Sequence, residues 1–376
     1  MEIMIIGIPK EVKTDEFRVA ATPLNIAQLI KDGHSVVVEK SAGKGSGFSD
    51  DLYMQAGAKI VDNASAVYSQ ATLIVKVKEP QKSEYELLNE KHTLFCYLHL
   101  APLKDLTATL VEKGLCAIAY ETVAYGDELP LLKPMSEIAG KMAPTVAAHH
   151  LSRYQGGEGI LISGASGVEA ANILVIGAGN AGAGATEIAY GLGANVTVIN
   201  RSSPKLENLK QLFPNIHTEI YTPTTLEELI QSADVVIGTV LIHGGDSTPK
   251  LISKKMLQQM KKGSVLVDIT IDQGGISESS RPTTHTNPIF VDEGVIHYCV
   301  ANMPGAYPKT ATIALTNSTF EYVKKLANLG TLQALRNDAS LRKGVNVYKN
   351  SLTNAAVAKV FGLTYKEIEP LLDSED

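Results

Sequence analysis

The sequence predicts an α/β protein of two doubly wound domains, each a mainly parallel sheet covered by helices. Two series of short apolar runs alternating with helical patterns carry that prediction, one over residues 3–121 and one over 172–300. The runs are near-continuously apolar, the mark of parallel strands buried on both faces. The second series opens on Gly177-x-Gly179-x-x-Gly182, a glycine-spaced turn set between a strand pattern and a helix pattern.

In chain order, the first series has strand candidates at "IMIIG" (3–7), "SVVVEK" (35–40), "AKIV" (58–61), "TLIVKVK" (72–78), "TLFCYLH" (93–99) and "CAIAYE" (116–121). Between the first two lies "TPLNIAQLIKDG", where Thr22 suits a cap, Pro23 the first turn and Gly33 the end of the helix. "MSEIAGKMAPTVAAHHL" (135–151) reads as a long helix bridging two domains, which Pro144 should kink or break. "NILVIG", "NVTVIN", "HTEIY", "DVVIGTV", "SVLVDITI" and "HYCV" follow as strands, with "TPTTLEELIQ" a capped helix start between them. The pattern turns helical from about 310 to 330 and again at 354–362. These closing helices are expected to pack on the first domain, so that residues 1–134 and 308–376 form one domain and 135–307 the other.

At 376 residues the chain suits two domains. With 44% hydrophobic and 20% charged residues and a net charge of −6, it reads as neither disordered nor a nucleic-acid binder, which needs clustered Lys and Arg. Cys96, Cys116 and Cys299 are dispersed and odd in number, which favours a reducing compartment, the cytoplasm. The five-residue apolar run near the start is too short for a secretory leader. The uncharged stretch 170–186 is too rich in Gly, Ala and Asn to span a membrane. Neither a membrane segment nor a metal site is expected, since no Cys or His set has ligand spacing.

Each glycine of the turn has a role in binding a dinucleotide. Gly177 permits the tight turn, Gly179 lets the backbone approach a pyrophosphate, and Gly182 lets helix and strand pack closely. The helix start at Asn180 and Ala181 offers unsatisfied amides and a positive dipole end to the phosphates. This context makes the unit Rossmann-like and calls for a nicotinamide cofactor. Where an NAD site usually ends its second strand in an acid, this chain has Asn200 followed by Arg201. Asparagine can bond a ribose hydroxyl without repelling a 2′-phosphate, and Arg201 can attract one, so NADP stays open beside NAD.

Several stretches together resemble the alanine dehydrogenase family, a relative of the nucleotide-binding part of transhydrogenases. They include "GIPKEVKTDEFRVAATP", "LIVKVKEP", "LFCYLHLAP", "AYETV", "LPLLKPMSEIAGKMAP", "DITIDQGG", "RPTTHTNP" and "HYCVANMPGAYPKTAT". The resemblance implies two Rossmann-like domains with a cleft between them. It implies reversible, NAD-dependent oxidation of L-alanine to pyruvate and ammonium in a homo-oligomer, commonly a hexamer. It implies that Arg18 and Lys78 hold the substrate carboxylate and that His99 and Asp272 are the acid–base pair. Glu121, Met135 and Asn302 are implied at the substrate, and Ser136 and Met303 at the cofactor. Two departures stand out: Asn200 in place of the acid, and "LIHGGDSTPK" (241–250) in place of a shorter loop.

The residue types suit that chemistry. A carboxylate is well held by an Arg fork and a Lys point charge. Amine oxidation leaves an imine that water must attack at neutral pH, where imidazole titrates. His99 and Asp272 fall in different domains, so the resemblance also implies that domain closure completes the site. Read without the resemblance, Arg18 is a surface ion-pair residue, Lys78 a solvated strand-end lysine, His99 a hydrogen-bonded strand histidine and Asp272 a turn former. Three other functions remain open at this stage: a transhydrogenase-type NAD(H)-binding subunit, a relative acting on another 2-oxo acid, and an NAD(H) sensor without catalysis.

Overall fold

The computed structural model describes residues 3–240 and 248–374. They form two compact units, Met1–Met135 with Tyr307–Asp376, and Ser136–Ala306. Along the chain the first unit contributes β1 (Ile5–Ile8), β2 (Ser35–Glu39), β3 (Lys59–Val61), β4 (Leu73–Val75), β5 (Thr93–Cys96) and β6 (Cys116–Ala119). The second contributes β7 (Asn172–Ile176), β8 (Asn195–Asn200), β9 (His217–Ile220), β10 (Val235–Gly238), β11 (Val265–Asp268), β12 (Ile289–Asp292) and β13 (Val295–Tyr298). The chain then returns to the first unit with β14 (Val345–Tyr348) and β15 (Ser351–Leu352).

Both sheets are doubly wound. The first runs β3-β2-β1-β4-β5-β6 in parallel, with β14 antiparallel to β6 and β15 beyond it. The second runs β9-β8-β7-β10-β11-β13 in parallel, with β12 antiparallel at the edge. In each, strand order reverses beside the first strand, and ligands of such sheets gather beyond the carboxyl ends near that reversal. Nearly all the sequence candidates follow carboxyl ends: Arg18 after β1, Lys78 after β4, His99 after β5 and Glu121 after β6. In the second unit the glycine turn follows β7, and Asp272 follows β11.

The period-two geometry of a strand explains why the runs are continuously apolar. In β7, Ile173 and Val175 join one buried cluster while Leu174 and Ile176 join another. In β10, Val235 and Ile237 likewise face away from Val236. Successive side chains point to opposite faces, and both faces here are covered, so apolar side chains are favoured at every interior position.

Local signals behaved as their chemistry requires. The Thr22 hydroxyl accepts from the Asn25 amide at 3.3 Å, and the helix runs Pro23–Lys31, with Gly33 beyond it at φ 93°. Thr222 caps Pro223–Ile230 in the same way. Pro144 does not break its helix, which runs unbroken over Lys133–His150. Ala139, Met142, Ala143, Ala147 and Leu151 all lie in one buried cluster, so packing on both sides of the proline outweighs the lost backbone bond. The strand pattern did not reveal β12, β14 or β15, which are short, antiparallel and at or near a sheet edge.

Candidate active site

In the first unit, Arg18 lies in the loop after β1 and is only 2% exposed. Its Nε donates to Glu16 Oε1 at 2.7 Å and its Nη2 to Glu16 Oε2 at 2.5 Å, while Nη1 lies 3.0 Å from the Met135 sulfur. The reading of Arg18 as a surface ion-pair residue is therefore corrected. The pair exists, but it is buried, because Glu16 two residues earlier meets the guanidinium edge with both oxygens. Burial alone would push the Glu16 carboxyl up; the Arg18 hydrogen bond and charge, with Lys78 adding to them, instead hold it at about 2.

Lys78 is also buried, with its ammonium 6.0 Å from the centre of the Tyr97 ring, so the solvated strand-end reading is corrected too. The Glu11 carboxylate shapes the backbone here, accepting from Val77 N at 2.6 Å and Lys78 N at 3.4 Å. Lys76, pointing into the core, is held by Glu11 at 3.2 Å and Glu84 at 2.9 Å. Burial would lower the Lys76 ammonium, but these two carboxylates hold it well above its ordinary range.

His99 sits just beyond β5 with a side chain 39% exposed. Its ring stacks on Tyr97 at 5.6 Å between centres and 6° between planes. Tyr97 is anchored by its hydroxyl, which donates to Leu131 O at 2.6 Å. Glu121, in the one-turn helix Tyr120–Thr122, accepts from His99 N at 2.6 Å and Leu98 N at 3.2 Å, and lies 3.8 Å from His99 Nδ1. His99 has φ 45°, a left-handed conformation costly for a residue with a Cβ. The Glu121 bonds and the Tyr97 stack hold it there. Arg18, Met135, Lys78, Tyr97, His99 and Glu121 are thus linked within one unit, two buried cations near a partly exposed imidazole.

In the second unit the three glycines differ physically. Gly177 has φ 110°, and a Cβ on it would lie 2.6 Å from the Thr239 hydroxyl. A Cβ on Gly182 would lie 2.0 Å from Gly177 O, so that position closes helix Asn180–Gly191 on the turn. A Cβ on Gly179, the residue capping that helix, would meet nothing within 4 Å. Space beside Gly179, next to the unsatisfied amides of a helix start, fits a dinucleotide's pyrophosphate.

Asn200, at the end of β8, uses its side chain internally: Oδ1 accepts from Ala178 N at 3.3 Å and Nδ2 donates to Ser202 O at 3.2 Å. Each group keeps one further bonding position. Arg201 is exposed. Asp272 is exposed in the one-turn helix Ile269–Gln273, and Asn302 has φ 65°, a second left-handed residue among the candidates. Ser136 is half-buried and Met303 buried. The 241–250 loop lies largely outside the described residues, at 241–247.

Glu16 and Asp268 escaped the sequence reading. Asp268 is fully buried and accepts from Thr270 N at 3.0 Å, Thr270 Oγ1 at 2.6 Å and Ile276 N at 2.8 Å, folding the turn that carries Asp272. A lone acid ending the apolar strand "SVLVD" was its signal. For Glu16 the sequence held none beyond nearness to Arg18.

One prediction concerns Glu16 directly. A carboxyl depressed in the folded state contributes stability that is complete above its unfolded value near 4.5 and is lost as pH falls towards 2. Acid unfolding followed by circular dichroism between pH 5 and pH 2 is expected to be steeper for the native chain than for Glu16→Gln. Equal slopes would remove Glu16 from the acid transition.

The family model for the alanine dehydrogenase/PNT N-terminal domain matches residues 7–139, and that for the C-terminal domain matches 143–355. The chain is 47% identical to an alanine dehydrogenase of Halomonas elongata over 98% of its length and all of that protein's. It is 47% identical, over the same shares of both chains, to one of Mycolicibacterium smegmatis. A solved L-alanine dehydrogenase superposes with a TM-score of 0.92 at 44% identity, covering 96% of this chain and 99% of that one. The transhydrogenase of Sinorhizobium meliloti superposes at 0.79 with 24% identity, covering 94% and 99%, a likeness of fold.

Proposed function

The chain belongs to the alanine dehydrogenase/PNT family, and from that premise we propose that it interconverts L-alanine with pyruvate and ammonium, using NAD. The observation that supports this reading best is the linked cluster of Arg18, Lys78 and His99. A transhydrogenase-type subunit that only binds NAD(H) and passes hydride to a partner has no use for a carboxylate-binding pair beside an exposed imidazole. A sensor needs no acid–base group.

When bound, NAD supplies the acceptor for the hydride of the alanine α-carbon. The amides of Asn180, Ala181 and Gly182 and the open face of Gly179 would hold its pyrophosphate, with Gly177 shaping the turn. Asn200 and Arg201 would take the ribose end, and Ser136 and Met303 would line the cofactor. Arg18 and Lys78 fix the substrate carboxylate; Glu121, Met135 and Asn302 complete the substrate site. His99 and Asp272 move the protons, taking them from the amine and the attacking water and returning one to the departing ammonia. Glu121 keeps His99 in place through the 98–99 backbone. The same reading extends to a cytoplasmic homo-oligomer, a hexamer, in amino-acid catabolism. Light scattering checks the hexamer.

The direct test is the initial rate of NADH oxidation with pyruvate, with and without ammonium, and of NADPH oxidation in a parallel assay. Ammonium-dependent oxidation is expected with NADH. Tight nucleotide binding without turnover would move the function to a transhydrogenase-type subunit, a sensor or another 2-oxo acid. A companion prediction concerns the cofactor. Asn200→Asp places a charge where a 2′-phosphate would lie, and should raise the NADH-to-NADPH efficiency ratio by about tenfold. It also sets two acceptors against each other at Ser202 O, costing about 1 kcal/mol of stability. An unchanged ratio would show that Asn200 does not read the ribose.

A further inference from the structure

We infer that Lys250 is a positioning residue: its ammonium, bonded to two consecutive glycine carbonyls, fixes the turn that carries Asp272 and so fixes where the Asp272 carboxylate stands. The inference rests on the acid–base role assigned to Asp272 above. Lys250 itself stands apart from the residues that hold substrate or cofactor in that reading.

After the one-turn helix Ile269–Gln273 the chain passes through Gly274 at φ 94° and Gly275 at φ 84°, both left-handed. Gly274 N donates to Ile271 O at 2.9 Å and Gly275 N to Thr270 O at 3.2 Å, bonds that close the turn on itself without tying it to the rest of the unit. Glycine is the least restrained backbone, so bonds from elsewhere decide where such a pair settles. Asp272, two residues before the pair, is exposed, and among the described residues its carboxylate has no hydrogen-bond or ion-pair partner. A carboxylate without a tether goes where its backbone puts it.

Two sets of bonds tie the turn down. Asp268, at the end of β11, accepts from Thr270 N and Ile276 N, which flank Asp272, and from Ser280 Oγ. The segment 248–252 supplies the second set. Thr248 N donates to Gln273 O at 2.8 Å and Leu251 N to Ile276 O at 2.8 Å. Between those two points the Lys250 ammonium donates to Gly274 O and, at 3.0 Å, to Gly275 O. An ammonium has three donors and can meet both carbonyls at once, and such charge-assisted bonds are stronger than neutral ones. Lys250 is exposed, so its replacement leaves the core intact and its effect on the turn can be read by experiment.

The test measures reductive amination of pyruvate with NADH in Lys250→Met, which keeps the length of the side chain and removes its donors. Small displacements of a reacting group are costly in rate, so kcat is expected to fall about tenfold. KM for pyruvate and the NADH dissociation constant should stay within about twofold of native, because the loss is in the chemical step. Lys250→Arg, which keeps charged donors, should recover most of kcat. Asp272→Asn supplies the decisive background: adding Lys250→Met to it should lower kcat by less than about twofold, because the group that Lys250 positions is already gone. A full tenfold loss in that background would overturn the proposal, as would a loss confined to KM or to NADH binding. Native kcat in Lys250→Met would overturn it too. Should Lys250→Met fold poorly, Lys250→Gln, whose amide donates without charge, takes its place under the same criteria. Native kcat in Asp272→Asn itself, or no turnover of pyruvate by the native enzyme, would defeat the functional reading beneath the proposal, which falls with it.

Discussion

Replacing His99 with Ala is expected to lower turnover by about two to four orders of magnitude while NADH still binds. In the proposed reaction, proton movement to and from the amine and water is assigned to this imidazole, while Arg18 and Lys78 are assigned to the substrate carboxylate. The nucleotide turn lies in the other compact unit, so its affinity should not change. The backbone complicates the variant, because residue 99 is left-handed at φ 45° and Ala tolerates that region poorly. His99→Asn removes the strain effect, since asparagine enters the region more readily than other residues with a Cβ. Both variants should lose turnover alike. If Asn restores it, the loss in Ala came from the backbone; if neither variant loses it, His99 is not the acid–base group. Stopped-flow titration of NADH alongside steady-state rates separates binding from chemistry.

Arg18→Ala should damage both stability and catalysis. It strands the Glu16 carboxylate, whose side chain is fully buried, without its guanidinium, and breaking one partner of a buried pair costs about 3–5 kcal/mol. It also removes the donor assigned to the substrate carboxylate, so KM for pyruvate should rise well over tenfold. The double variant Arg18→Ala/Glu16→Ala separates the two effects. Removing the stranded charge should recover part of the melting temperature but none of the substrate affinity. Arg18→Lys keeps charge without the fork and should fall between native and Ala in both readouts. Recovery of KM in the double variant would show that Arg18 acts on stability alone.

How far the sequence alone carries depends on the range over which each signal acts. Apolar runs, the Thr22 and Thr222 caps and the glycine-spaced turn are local, because each depends on neighbours within a few residues. The α/β class and the doubly wound architecture were legible from them. The motifs also led to Arg18, Lys78, His99 and Glu121, which fold into one linked cluster. What the local pattern could not contain was burial and pairing. Pro144 stays helical because one apolar cluster receives both halves of its helix, and the edge strands form because a neighbouring edge is available.

The same division holds at the site. Arg18 and Lys78 read as surface charges, since charge is normally solvated. Only the folded chain encloses them, with both Glu16 oxygens on the guanidinium and the Lys78 ammonium near the Tyr97 ring. Asn200 was legible as a missing acid, but its use in tying Ala178 to Ser202 was not. Sequence by itself determined the class of fold, the cofactor turn and the residue types available for chemistry, because those follow from side-chain volume, backbone freedom and spacing. Tertiary structure decided which charges are buried, which acid answers which base and which residues are held in left-handed backbone. Burial depends on segments far apart in the chain, even where, as with Glu16 and Arg18, the partners are neighbours in sequence.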